Sequence, residues 1–181
     1  DKHEFVKIFA GDWYEAHLEA CKFVDKVYGA PLDEPADVVI ASCGGYPKDI
    51  NVYQMQKTMD NAVCAAKQGG VVILLAECIE GSGSAQLEKT ISENPDPGLI
   101  AAQLAQNFVI GAHKAFAVTR LMKKAKFILV SKLDKELAKK MLFESVDTVD
   151  EAIARAKEIV GEDYTIALMP TGSLTVPIVK K

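Results

Sequence analysis

Five short aliphatic runs, at residues 5–10, 38–42, 71–76, 127–131 and 164–169, are separated by longer segments whose apolar residues recur at helical period. Segment 12–27 places Trp13, Ala16, Ala20, Phe23, Val24 and Val27 on one side, and 52–67 does the same with Val52, Met55, Met59, Ala62, Val63 and Ala66. Further helices are predicted over 84–92, 98–106, 113–124, 134–141 and 149–160. A strand that is apolar on both faces needs a helix layer on each side, which parallel sheets obtain through βαβ crossovers. The expected fold is therefore a three-layer, Rossmann-like α/β arrangement with a mostly parallel sheet. Gly69-Gly70 and Gly161 end helical segments, as a left-handed C′ position favours. No repeat or low-complexity tract interrupts the pattern, and the best loop, 92–98, has apolar segments on both sides. One α/β domain over residues 1–181 is expected.

Net charge of −4 argues against nucleic acid or an anionic membrane as the main partner. No run is long enough to span a bilayer, and Asp1-Lys2-His3-Glu4 is no signal peptide, so a cytoplasmic location is expected. The sequence lacks an initiator Met, which points to a processed product or a domain of something larger. The cysteines, Cys21, Cys43, Cys64 and Cys78, form no C-x-x-C pair. Cys21 and Cys64 read as small core residues within helices, whereas Cys43 and Cys78 each end an apolar strand. His3, His17 and His113 are far apart, so no self-contained metal site is expected.

Ligands of open α/β sheets bind outside the carboxyl ends of the strands. That rule selects Gly11-Asp12, residues 44–51, residues 77–84, the segment after Ser131, and residues 170–173. In "CGGYPKDINVYQMQK", Gly44 and Gly45 permit positive φ or close approach to a ligand, with Tyr46 and Asp49 beside them. Asn51 is an N-cap candidate, and Gln54 would complete a capping box. Tyr53, Gln54 and Lys57 share one helical sector in the first turn, where free N–H groups favour anions. Two readings stand side by side: a small-carboxylate site, or a solvated helix face with a capping glutamine. In "AECIEGSGS", Cys78, Gly81 and Gly83 suggest an anion-binding nest, although a turn capped by Ser84 is the plainer reading. His113 and Lys114 follow Gly111 at a helix start, where they would face a ligand or only solvent. No nucleotide fingerprint and no nucleophile elbow is present, so the residues alone describe a binder rather than a complete enzyme.

At "GGYPKDINVYQMQKTMDNA" the chain resembles the C-terminal domain of the nickel-pincer-nucleotide-dependent lactate racemase family. "FAGDWYEAH", "GGVVILLAECIEGSGS" and "GAHKAFAVTRLMKKAKFILVS" resemble it in the same order. The resemblance implies a 2-hydroxy acid as substrate and a nickel pincer nucleotide that takes and returns a hydride at its α-carbon. It also implies an N-terminal domain, absent from this chain, that holds the cofactor and the acid–base histidines. Tyr53, Gln54 and Lys57 fall on the family's Tyr-Gln-x-x-Lys positions and would contact substrate. The alternatives are a stand-alone α/β module that binds a small anion, and a domain whose helix faces dock a partner. In each case loops 43–51 and 77–84 should lie side by side, because consecutive strands joined by a crossover are usually neighbours. With ligands this scattered, the chain alone is expected to hold no nickel tightly. Metal analysis after dialysis should give far less than one nickel per chain, and stoichiometric retention would contradict this.

Overall fold

Strands with two apolar faces need cover on both, and the computed structural model, which describes residues 4–180, supplies it. The chain opens with α1 (Trp13–Tyr28), β1 (Gly29–Leu32), β2 (Ala36–Ser42), α2 (Val52–Ala65) and β3 (Ala66–Leu75). Three helices follow, α3 (Ala85–Glu93), α4 (Pro97–Gln106) and α5 (Ala112–Met122), before β4 (Lys126–Val130). The remainder is α6 (Lys135–Lys140), β5 (Glu144–Val146), α7 (Val149–Val160), β6 (Ile166–Met169) and β7 (Val176–Val179). Five strands form one parallel sheet in the order β5-β4-β3-β2-β6, while β1 and β7 make a separate parallel pair.

The period-two alternation of each strand sorts its side chains between two cores. Val39, Ala41, Val72, Leu74, Phe127 and Leu129 meet Met55, Met59, Leu87, Ile91 and Val118 on the side of α2, α3 and α5. Val38, Val71, Ile73 and Ile128 meet Ala152 and Ala156 of α7 on the other. The sheet grows outward from β2 to β5 with helices on the first face. The chain then returns across the whole sheet to β6, through α7 on the second face. Reversing direction while keeping right-handed crossovers requires that change of face.

Several expectations are corrected. Residues 5–10 form no strand, and Phe5 is 90% exposed. An aliphatic run becomes a strand only beside a partner edge, and the described residues offer it none. The pair β1–β7 escaped notice because Pro31 and Pro177 read against strands, a penalty that free edges of a two-stranded pair avoid. The three-residue β5 is too short to show a period. Helix α2 stops at Ala65, so Lys67 belongs to β3. Cys21 and Cys64 are exposed rather than core residues: α1 has no buried residue, and the Cys64 thiol donates outward to the Asp60 carbonyl at 3.3 Å. No helix among the described residues is long and apolar enough to cross a membrane.

At the amino end of β2 one carboxylate ties three strands together. Asp37 accepts from the Thr165 amide at 2.9 Å, from its hydroxyl at 2.8 Å, and from Lys67 Nζ at 2.9 and 3.0 Å. The Thr165 backbone bond, the Lys67 ammonium and the Thr165 hydroxyl hold this carboxyl well below its ordinary value of 3.8. A depressed native value gives stability that is present above the unfolded value and lost as pH falls below it. Thermal unfolding of the wild type should therefore weaken progressively below about pH 4, and Asp37→Asn should flatten that part of the profile. Parallel profiles for the two proteins between pH 5 and 2 would refute the assignment.

Candidate functional site

The loops after β2 and β3 are hydrogen-bonded to each other along their length. Cys78 N donates to the Asp49 carbonyl at 2.9 Å and Glu80 N to the Ile50 carbonyl at 2.9 Å. The Asp49 carboxylate, nearly buried, accepts from Glu77 N at 3.3 Å. The first N–H groups of α2 are then consumed: Val52 N donates to the Gly81 carbonyl at 3.1 Å, and Tyr53 N to that of Ser82 at 3.1 Å. Gln54 N donates to Asn51 Oδ1 at 3.0 Å, so Asn51 is the N-cap that its position suggested. The second half of the capping box is not made, because the Gln54 side-chain oxygen accepts from Lys57 Nζ at 2.8 Å instead. The anion site expected from free helix N–H groups is thereby closed by the protein's own carbonyls. Any anion here must be held by side chains.

Those side chains lie where α2 meets α5. Lys114 Nζ sits 5.0 Å above the Tyr53 ring and donates to Gln56 Oε1 at 2.5 Å. Gln56, 3% exposed, gives its amide hydrogens to Asp60, whose other oxygen accepts from Arg120 at 3.1 Å. Both ends of the Gln56 amide are engaged, which fixes its orientation and with it the Lys114 ammonium. Burial lowers the Lys114 pKa, the Lys57 ammonium lowers it further, and Asp60 opposes the shift. Two ammonium groups thus share this seam and are only partly neutralised. The His113 ring packs on Phe108 with centroids 5.6 Å apart and meets the edge of Tyr53 at 6.2 Å. Its Nδ1 accepts from Gly111 N at 3.2 Å, so the neutral ring carries its proton on Nε2. Tyr53, Gln54, Lys57, His113 and Lys114 are brought together. Gln56, Asp60 and Arg120 were not foreseen; the i,i+4 spacing of Gln56 and Asp60 was a visible signal, whereas the reach from Arg120 was not.

The remaining candidates divide differently. Gly45 and Asp49 line a cavity of about 350 Å³ outside β2, β3 and β4, shared with Glu77, Ser131, Lys132 and Asp147. Glu77 pairs with Lys132 at 2.5 Å and Asp147 with Lys135 at 3.0 Å, so the lysines at that crevice are already engaged with its carboxylates. Gly44 and Gly45 take φ of 89° and 75°, and Tyr46 is exposed beside them. Gly81 also has positive φ, and an added Cβ would touch Leu137. Cys78 points into the core, where burial pushes its thiol up to about 12, so its side chain lines no surface. The nest reading of the Gly-Ser-Gly-Ser stretch gives way to packing: a Cβ on Gly83 would lie 2.3 Å from Asn51 Cγ. Strand order reverses around β2, which would put a crevice between β2 and β6. Gly172 fills that place, its N–H donating to the Ser42 carbonyl at 2.8 Å. Among the described residues no three His, Cys, Asp or Glu side chains converge as metal ligands.

Residues 32–177 match the family described as the lactate racemase C-terminal domain. The lactate racemase of Thermoanaerobacterium thermosaccharolyticum is 34% identical over 175 residues, which cover 94% of this chain and 41% of that protein. That of Lactiplantibacillus plantarum is 30% identical over 174 residues, covering 93% and 41%. The structure of the Thermoanaerobacterium apoprotein superimposes with a TM-score of 0.85 at 32% identity, over 97% of this chain and 43% of that one. A Thermotoga maritima protein at 14% identity and a TM-score of 0.61 shares the fold. The chain spans about two fifths of the length of the curated relatives it matches.

The contact between Asn51 and Gly83 is testable by a double-mutant cycle. Asn51→Ala should cost about 1 kcal/mol as a lost cap. Gly83→Ala should cost more, because its Cβ meets the Asn51 side chain at a φ of 72°. The double mutant should recover part of the second loss, since removing Asn51 makes room for the methyl group. Additive losses in denaturant unfolding would show that the two residues do not press on each other.

Proposed function

Because the chain belongs to the lactate racemase family and corresponds to its C-terminal domain, we propose that it is the substrate-contacting part of a longer enzyme that racemises or epimerises a 2-hydroxy acid. The observation that carries this reading is the Lys114 ammonium 5.0 Å over the ring of Tyr53, which lies one helical turn before the exposed Lys57 ammonium bonded to Gln54. A carboxylate placed there relieves their mutual repulsion and accepts charge-assisted hydrogen bonds. Lys57 is exposed and held only by Gln54, so it can turn to a ligand at the loss of one surface contact. Gln54 then offers an amide to the substrate hydroxyl, and the Tyr53 ring packs against its carbon frame. Lys114 is held in place by the buried Gln56 and supplies a fixed positive field behind the mobile one.

The cofactor that the resemblance implies is a nickel pincer nucleotide, which supplies hydride transfer at the substrate α-carbon. The donor groups of this chain do not fit a metal centre, since its His, Cys, Asp and Glu side chains do not converge among the described residues. In this reading the cofactor is held by the part of the polypeptide that the longer relatives possess. This domain's task is to bind and orient the 2-hydroxy acid against it.

A charge-assisted hydrogen bond contributes about 1.5–3 kcal/mol. In the full-length enzyme, Lys57→Ala should lower kcat/KM for a 2-hydroxy acid by roughly ten- to a hundredfold. Folding stability should change by no more than about 0.5 kcal/mol, because the position is exposed. Lys126 is the control: it is exposed and opens β4, at the opposite rim of the sheet. Lys67 is unsuitable for that purpose because it pairs with Asp37. Equal, near-wild-type kinetics for Lys57→Ala and Lys126→Ala would leave a solvated helix face instead of a substrate site.

A further inference from the structure

Helix α1 has the sequence of a core helix and the surroundings of a surface one. At about 100° per residue, Trp13, Ala20, Val24, Val27 and Tyr28 share one broad sector, while Glu15, Glu19, Lys22 and Lys26 occupy the opposite side. None of its 16 residues is buried, and Trp13 is 80% exposed. Phe5, Val6 and Ile8 add exposed apolar surface just before it. A soluble protein rarely leaves so large a contiguous apolar face uncovered unless something binds there.

The helix is nevertheless capped at its start and joined directly to a strand at its end. Asp12 caps its start, accepting from Tyr14 N at 3.0 Å and Glu15 N at 3.1 Å. At its end, Gly29 N donates to the Asp25 carbonyl and already belongs to β1, and a Cβ there would lie 2.0 Å from that oxygen and 2.8 Å from Ile178 Cδ1, so α1 runs into the β1–β7 pair with no linker between them. Its apolar sector is therefore a surface of defined place rather than a trailing segment. Two findings identify what covers it. The match to the family's C-terminal domain begins at residue 32, after α1, and the alignments that do reach α1 are with curated relatives more than twice as long as the stretch they share with this chain.

We propose that the apolar face of α1, with Phe5, Val6 and Ile8, is the docking surface for the portion of the polypeptide that precedes the C-terminal domain in the longer relatives. This rests on the reading of the chain as one part of a larger enzyme. A tethered domain is the occupant rather than a second copy, because a short connection gives an effective concentration in the millimolar range, which a second copy does not reach at ordinary protein concentrations. The face holds the larger part beside the β1–β7 pair, to which α1 is joined directly.

Cys21 is the probe, since it is exposed and lies seven residues from both Tyr14 and Tyr28, on their side of the helix. Its alkylation rate, relative to the same cysteine in unfolded protein, is measured by mass spectrometry in the 181-residue chain and in the full-length polypeptide. Cys43 and Cys78 stay silent, because burial pushes their thiols up to about 11 and about 12. Cys21 should react readily in the shorter chain and at least tenfold more slowly in the full-length protein. Val24→Glu, which touches no core of the sheet, should restore fast labelling in the full-length protein and leave the unfolding of the shorter chain unchanged. Equal labelling in both proteins overturns the proposal, as does protection that survives Val24→Glu. Protection that grows with concentration in the shorter chain alone assigns the face to a second copy and also overturns it. A Lys57→Ala defect together with an unprotected Cys21 would keep the enzymatic reading and remove only this surface.

Discussion

Two loops at the carboxyl rim of the sheet hold each other, and the placement of every other candidate residue follows from that grip. The carbonyls of Gly81 and Ser82 receive the first N–H groups of α2, while Asn51 caps the helix from beneath Gly83. Leaving such buried donors unpaired would cost about 1–3 kcal/mol each, so the helix cannot start elsewhere without loss. The same loop reaches α5, where a Cβ on Gly111 would stand 2.6 Å from Ser84 Oγ and 2.9 Å from Gln86 Cβ. Two glycines thus bring the starts of α2, α3 and α5 together. Tyr53 and Lys114, which are 61 positions apart by subtraction, come into contact because of those two close approaches.

This grip also divides the rim by charge. On the side of β4 and β5, Glu77 pairs with Lys132 at 2.5 Å and Asp147 with Lys135 at 3.0 Å, exposed pairs that add little to stability. On the side of α2 and α5, Lys57 and Lys114 stand together with Asp60 as the nearby acid. An anion at the rim would meet ion-paired lysines in the crevice, and at the helix seam ammonium groups that bond only neutral glutamine oxygens among the described residues. The β2–β6 crevice is closed as well, because Gly172 lies against Ser42 and Thr58 with no room for a side chain. Charge and packing, rather than the strand-end rule, set where a small carboxylate would rest.

The layers were legible because parallel strands buried on both faces leave a run of aliphatic residues that little else in a soluble chain produces. The adjacency of loops 43–51 and 77–84 followed from the same reasoning, and both loops are hydrogen-bonded as expected. Residues 5–10 misled because their aliphatic character reflects a surface to be covered, not a sheet partner. The Gly-Ser-Gly-Ser stretch misled for a related reason: glycine marks close approach, and composition does not say whether a ligand or the Asn51 side chain is what approaches. Tyr53, Gln54 and Lys57 could be grouped from helical spacing, yet spacing could not reveal that the backbone donors beside them were already taken. The chain from Arg120 through Asp60 and Gln56 to Lys114 depends on tertiary contact across about 60 residues, which no local pattern encodes.

The firmness of the rim contrasts with the joint at the other margin of the molecule. β1 and β7 form only a two-stranded pair, and such a pair is marginal without further cover. Pro31 and Pro177 fall at its free edges, where no ladder donor is lost. Lys180 extends the pairing, with its N–H donating to the Leu32 carbonyl at 2.9 Å and its ammonium meeting Asp33 at 2.6 Å, but that ion pair is exposed. Local stability falls where buried apolar contacts are few and backbone hydrogen bonds are open to solvent. The pair carries α1, none of whose residues is buried, so that helix rather than the sheet pair is the least anchored element of the domain. Binding groups held by their own contacts and an apolar face left open are what a part that must meet another part around a small ligand requires.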